Sequence, residues 1–102
     1  MSEPDLALPP VHIAEIDHDK LRELFADVEA LGERVEIVLK RTSEAHVERV
    51  ACVSLAEALE QLSSGTALGA QLRYSYEGAD WWDTLLRTPD GFRLVRIQHR
   101  LG

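Results

Sequence analysis

The stretch from Gln71 to His99 restricts the fold more than any other part of the sequence. It holds three runs that read as strands, Gln71 to Tyr76, Trp81 to Arg87 and Phe92 to His99, divided by two turn signals. The first turn, Glu77-Gly78-Ala79-Asp80, brings Tyr76 opposite Trp81. The second is Thr88-Pro89-Asp90-Gly91. Proline presets φ, aspartate suits the next position, and glycine accepts a left-handed bulge, which pairs Thr88 with Phe92. A three-stranded antiparallel meander follows.

These registers sort the side chains onto two faces. Leu72, Tyr74, Tyr76, Trp81, Asp83, Leu85, Val95, Ile97 and His99 share the first, and seven of those nine are apolar or aromatic. Gln71, Arg73, Ser75, Trp82, Thr84, Leu86, Leu94, Arg96 and Gln98 share the second, with three apolar members of nine. Helices are expected to cover the first face and leave the second open.

The earlier sequence supplies those helices. Val11 to Ile16 reads as a short strand, and Asp17 or Asp19 offers an N-cap. Leu21, Leu24, Phe25, Val28 and Leu31 then form one apolar helical stripe, which Gly32 closes in a left-handed C′ conformation. From Arg34 the period becomes two: Val35, Ile37 and Leu39 mark a strand, and Val47 to Val53 returns antiparallel, with a helix from His46 onward, continuous with the next element, as the rival reading. Pairing Arg41 with His46 sets Ile37 opposite Val50 and Val35 opposite Cys52, with Leu39 facing Glu48. Ser54-Leu55-Ala56-Glu57 matches a capping box opening a second short helix that ends at Ser63-Ser64-Gly65. The predicted fold is therefore a single α+β domain over residues 11–102, order (β)αββαβββ. Two helices lie on one face of a mainly antiparallel sheet, and residues 1–10 form a flexible tail.

Two constellations are candidate sites. On the predicted open face, Arg73, Thr84 and Arg96 form one row beside Ser75, Trp82 and Gln98. An indole between two guanidinium groups can stack and donate hydrogen bonds, so Arg73, Trp82, Arg96 and Gln98 are read as a binding surface. On the predicted core face, Asp83 has Tyr74 opposite and His99 on a diagonal. A buried carboxylate there can do acid–base chemistry, or can simply hold the packing together by hydrogen bonds. The second reading is preferred, because no nucleophile or pocket accompanies the trio.

Other chemistries find little support. His12, Asp17, His18 and Asp19 cluster ahead of the first helix but lack the i, i+4 histidine spacing of a helical zinc pair, so no metal or other cofactor is expected. Cys52 is the sole cysteine, which excludes an internal disulfide, and it reads as a small buried hydrophobe. The formal net charge is −7, and the segment through Ala67 holds 14 acidic against 6 basic residues, which disfavours nucleic acid as a partner. No apolar run reaches the ~18 residues of a membrane span. Glu3 and Asp5 stand where a secretory signal would be basic, so the expected address is the cytoplasm. The leading expectation is a small non-enzymatic interaction or accessory module. It would bind a protein partner, a second copy of itself or an anionic small molecule through the Arg/Trp face. A small enzyme or ligand-binding domain around Tyr74, Asp83 and His99 is the alternative, and a nucleic-acid module ranks third.

Overall fold

The computed structural model describes residues 11–43, 46–52 and 54–99. Its elements are β1 (Val11–Ile16), α1 (His18–Leu31), β2 (Glu33–Ser43), β3 (His46–Cys52), α2 (Leu55–Ser64), β4 (Gly69–Tyr76), β5 (Ala79–Thr88) and β6 (Gly91–His99). The strands form one sheet in the order β1-β6-β5-β4-β2-β3, every neighbour antiparallel. This is the α+β arrangement expected from the sequence. The readings of the 1–10 segment as a tail and of the Cys52 side chain as buried fall outside what is described.

Local chemistry explains the helices. Asp17 takes the N-cap of α1, its carboxylate accepting from the Lys20 amide at 2.9 Å. Ser54 does the same for α2, accepting from the Glu57 amide at 3.0 Å. Gly65 closes α2 with φ +88°, the left-handed conformation that glycine adopts without a Cβ penalty. At the same end, Arg87 donates to the Leu62 carbonyl, placing a cation at the negative pole of the helix. Leu21, Leu24, Phe25 and Val28 of α1 and Ala58 and Leu62 of α2 are buried against Ile37, Leu39, Leu72, Leu85 and Phe92 of the sheet. Leu31, at the end of the apolar stripe, is instead 56% exposed.

Gly32 departs from expectation. Its φ of −79° is extended rather than left-handed. Glycine is needed there for space, because a Cβ would stand 2.8 Å from the Val28 carbonyl oxygen and 3.3 Å from the Tyr74 ring. The left-handed turn falls two residues later, at Arg34 with φ +54°, where a bulge separates the Glu33↔Ser75 and Glu36↔Arg73 pairs.

Three hairpin registers differ from the sequence reading. In β2–β3, Ser43 pairs with His46, so Ile37 faces Cys52 and Leu39 faces Val50 rather than Glu48. That two-residue shift keeps every face and matches Leu39 with an apolar partner. In β4–β5 the loop is Glu77-Gly78, both at positive φ (51° and 79°), a two-residue turn suited to the twist of a hairpin. Tyr76 therefore pairs with Ala79 and Tyr74 with Trp81, again without changing faces.

The third difference has larger consequences. Thr88 pairs with Gly91, not Phe92, leaving Pro89-Asp90 as the loop. A one-residue shift exchanges the two faces of a strand. Phe92, Leu94, Arg96 and Gln98 consequently lie on the helix-covered face, while Val95, Ile97 and His99 lie on the open one. Gly91 meets this register through space and not through a bulge: a Cβ there would sit 2.3 Å from the Ile16 carbonyl oxygen of β1. Gly91→Ala is expected to push β1 off β6 and destabilise the protein by ~1–3 kcal/mol, the usual range for overpacking. Amide exchange checks it, with faster exchange concentrated in residues 11–16.

Candidate binding face and the buried Asp83 network

The two expected constellations are rearranged by the β6 register. Asp83 is wholly buried on the helix-covered side of β5. Its carboxylate accepts three hydrogen bonds: from Tyr74 Oη at 2.8 Å on β4, and from Arg96 Nε and Nη2, each at 2.8 Å, on β6. The fork of the guanidinium matches the carboxylate edge, the strongest geometry for such a pair. His99 is absent from this group because its side chain is on the opposite face. The expected Tyr74–Asp83–His99 trio is thus not assembled, and Arg96, expected on the open face, is the true third member. Gln98 also leaves the open face, pairing across from Trp81.

The network shapes the chemistry of its members. Burial pushes the Tyr74 phenol well above the ordinary tyrosine range, and the adjacent Asp83 charge pushes it further. The hydrogen bonds that Arg96 donates to Asp83 raise its pKa likewise. A cleft of about 180 Å³ opens beside Arg96 between α1 and the sheet, bordered by Leu24, Asp27, Val28, Leu31, Tyr74 and Tyr76. Asp83 neutralises Arg96 and Asp27 adds a second carboxylate, so the cleft offers an anion no net attraction.

The open face retains Arg73 and Trp82 and gains His99. Arg73 stands directly across from Trp82, its guanidinium 4.1 Å from the indole centroid. From the β6 side the His99 ring approaches the same indole, with centroids 4.5 Å apart. Arg73 is oriented by Gln71, whose Oε1 accepts from Nε at 2.8 Å, and Gln71 in turn donates to Thr84 Oγ1 at 3.0 Å. Beyond Arg73, the left-handed turn at Arg34 delivers a second guanidinium, which donates to Ser75 Oγ at 3.0 Å while Ser75 donates to Asp80 at 2.7 Å. A shallow hollow of about 420 Å³ lies among Arg34, Glu36, Arg73, Ser75, Asp80 and Trp82. His99 Nε2 is closed off from solvent yet has no hydrogen-bond partner among the described residues.

On the β1 side of Trp82 the same face turns apolar. Val11 pairs with Ile97 and Ile97 with Trp82; Ile13 pairs with Val95 and Val95 with Thr84. Val11 is 50% and Ile13 67% exposed. Comparison with known protein families, with characterised proteins and with solved structures finds no match. Function must be read from these surfaces alone.

Among the metal candidates, Asp17 serves as a helix cap, and the His18 ring packs edge-on against Phe92 with centroids 5.1 Å apart. Sequence reasoning missed Arg34, since no residue type announces a positive φ at a non-glycine position. It also missed the pairing of Asp83 with Arg96, for which a signal existed: a carboxylate placed in a core requires a cation or several donors nearby.

Two outcomes follow from the network. Arg96→Met, which leaves Asp83 buried and unpaired, is expected to cost ~3–5 kcal/mol in urea melts, while adding Asp83→Leu to the same chain restores most of the loss. Because folding raises the Tyr74 pKa, its contribution to stability is complete below the unfolded value of ~10 and is lost as pH climbs beyond it. Melts from pH 8 to pH 12 are therefore expected to show a decline from about pH 10 that Tyr74→Phe reduces.

Proposed function

We propose that this protein is a small interaction module, without catalytic activity of its own, that recognises another protein surface through its helix-free sheet face. The observation that carries the reading is the assembly of Arg73, Trp82 and His99 on a face that no second layer covers among the described residues. Tryptophan and arginine dominate binding hot spots because they combine large desolvated area with directional hydrogen bonding. Apolar Val11, Ile13, Val95 and Ile97 extend that centre, and charged groups surround it, the usual arrangement of core and rim.

A protein fits this face better than an anionic small molecule. The hollow beside Trp82 sets Arg34 and Arg73 against Glu36 and Asp80, so its charges cancel. Nucleic acid fits less well still, for the same reason and because the chain as a whole is acidic. On the enzyme alternative, Asp83 already accepts three hydrogen bonds from within the fold, and His99 stands across the sheet from it. An address in the cytoplasm is consistent with this role, and no helix among the described residues is long and apolar enough to cross a membrane.

The double variant Arg73→Ala, Trp82→Ala tests the proposal. Both side chains lie outside the helix-covered core, so the circular dichroism spectrum is expected to match wild type. Removal of a hot-spot pair of this kind is worth ~2 kcal/mol or more, at least ~30-fold in affinity. Pull-downs from native lysate and sizing at matched concentration are expected to show a lost partner or a lost oligomer. Identical behaviour of the two proteins in both assays would remove the basis of the reading.

A further inference from the structure

We infer that the occupant of the open face is a second copy of this chain, stacked sheet to sheet with both helix layers turned outward. The inference rests on the proposed role of that face and adds the identity of the partner.

The first argument is the distribution of charge between the layers. Along α1 and α2 the residues Asp19, Glu23, Asp27, Glu29, Glu57 and Glu60 face only Lys20 and Arg22, a net of −4. On the open face the strand registers and the Arg34 hydrogen bond place Arg34, Lys40, Arg49, Arg73 and Arg93 with Glu15, Glu33, Glu36 and Asp80, a net of +1 among the described residues. Two copies of an acidic chain repel one another in most orientations. Stacking the balanced faces puts the acidic helix layers at opposite ends of the assembly, the orientation in which that repulsion is smallest.

The second argument is composition. Of the six large hydrophobic residues that stand exposed among the described residues, Val11, Ile13, Val47 and Leu86 lie on this one face. A partner chosen for charge would leave them wet, whereas an identical apolar patch covers them. In an isologous contact the patch must complement itself. A centre of Ile13, Val95, Ile97 and Trp82, with rim charges of both signs, meets that requirement. The His99 ring, packed on the Trp82 indole with centroids 4.5 Å apart, borders this centre.

The third argument is size. Six strands at ~4.8 Å spacing and about seven residues of ~3.4 Å each give a face on the order of 700 Å². Stable contacts remove ~800 Å² from each partner, so the whole face, and not a corner of it, is the required footprint. Sheets packed in this way lie ~10 Å apart with interdigitated side chains, the geometry of a sandwich.

Light scattering coupled to size exclusion at 100 µM is expected to give twice the 11.4 kDa chain mass. Ile13→Lys on β1 and Leu86→Lys on β5 are each expected to yield a monomer with unchanged circular dichroism, since both side chains are exposed in the single chain. Leu31→Lys, on the helix layer, is expected to leave the dimer intact. Monomerisation by Ile13→Lys alone would mean pairing along the β1 edge and overturn the stacked arrangement. Dissociation by Leu31→Lys would place the contact on the helices and overturn it as well. A wild-type chain that is monomeric at 100 µM also overturns it; if Arg73→Ala, Trp82→Ala then still abolishes capture of a different protein, the interaction role survives with another partner. If no such capture exists, both readings fall.

Discussion

The bond of Asp83 to Arg96 and Tyr74 sets the register of the central sheet. Each of the three residues belongs to a different strand, so the carboxylate ties β4, β5 and β6 at one level. A slip of β6 by one residue would carry Arg96 through to the other face and strand a charge in the interior. The cost of such an orphan is several kcal/mol, far more than the difference between two ways of packing Val95 or Leu94 inside. A buried ion pair of this sort adds little net stability over an apolar substitute. Its effect is to make the wrong pairing expensive.

That distinction explains what the sequence made legible. The helices were readable because Asp17, Ser54 and Gly65 mark their ends by local chemistry and because the apolar stripe of α1 has only one period that fits. The faces of β4 and β5 were readable for a similar reason: Leu72 and Leu85 alternate with Gln71, Arg73 and Thr84. The strand β6 offers no such contrast. Phe92 and Leu94 stand at even positions, Val95 and Ile97 at odd ones, and an arginine occurs in each set. Alternation therefore permits both registers, and the Thr88-Pro89-Asp90-Gly91 turn is compatible with either loop length. Only the demand of Asp83 for a cation separates them, and that demand is a tertiary fact until β5 is placed in the core.

The same switch determines the surface. With Val95, Ile97 and His99 outside, the open face becomes apolar toward β1 and polar toward β2, and Trp82 marks the boundary. Arg73 and Trp82 stay together because their parity depends on β4 and β5 alone. Arg96 and Gln98 were lost from the candidate site, and His99 was gained, by the one-residue move. Arg34 came into view only through its backbone, since a left-handed non-glycine residue at a bulge leaves no trace in composition.

The pairing of β1 with β6 joins the first described strand to the last: Val11 meets Ile97, and Glu15 meets Arg93 through a 2.8 Å ion pair. On a ribosome β1 must therefore wait for every element between it and β6 before its partner exists. The hairpins β2–β3 and β4–β5 close locally and can form during synthesis, but the contact of longest range forms last. A chain cut short before Phe92 would lack both the pairing partner of β1 and the counter-ion for Asp83. Such fragments would carry an unpaired strand and a desolvated charge at once, features that drive incomplete chains toward aggregation or degradation. In this fold the sheet closes only once β6 has been made.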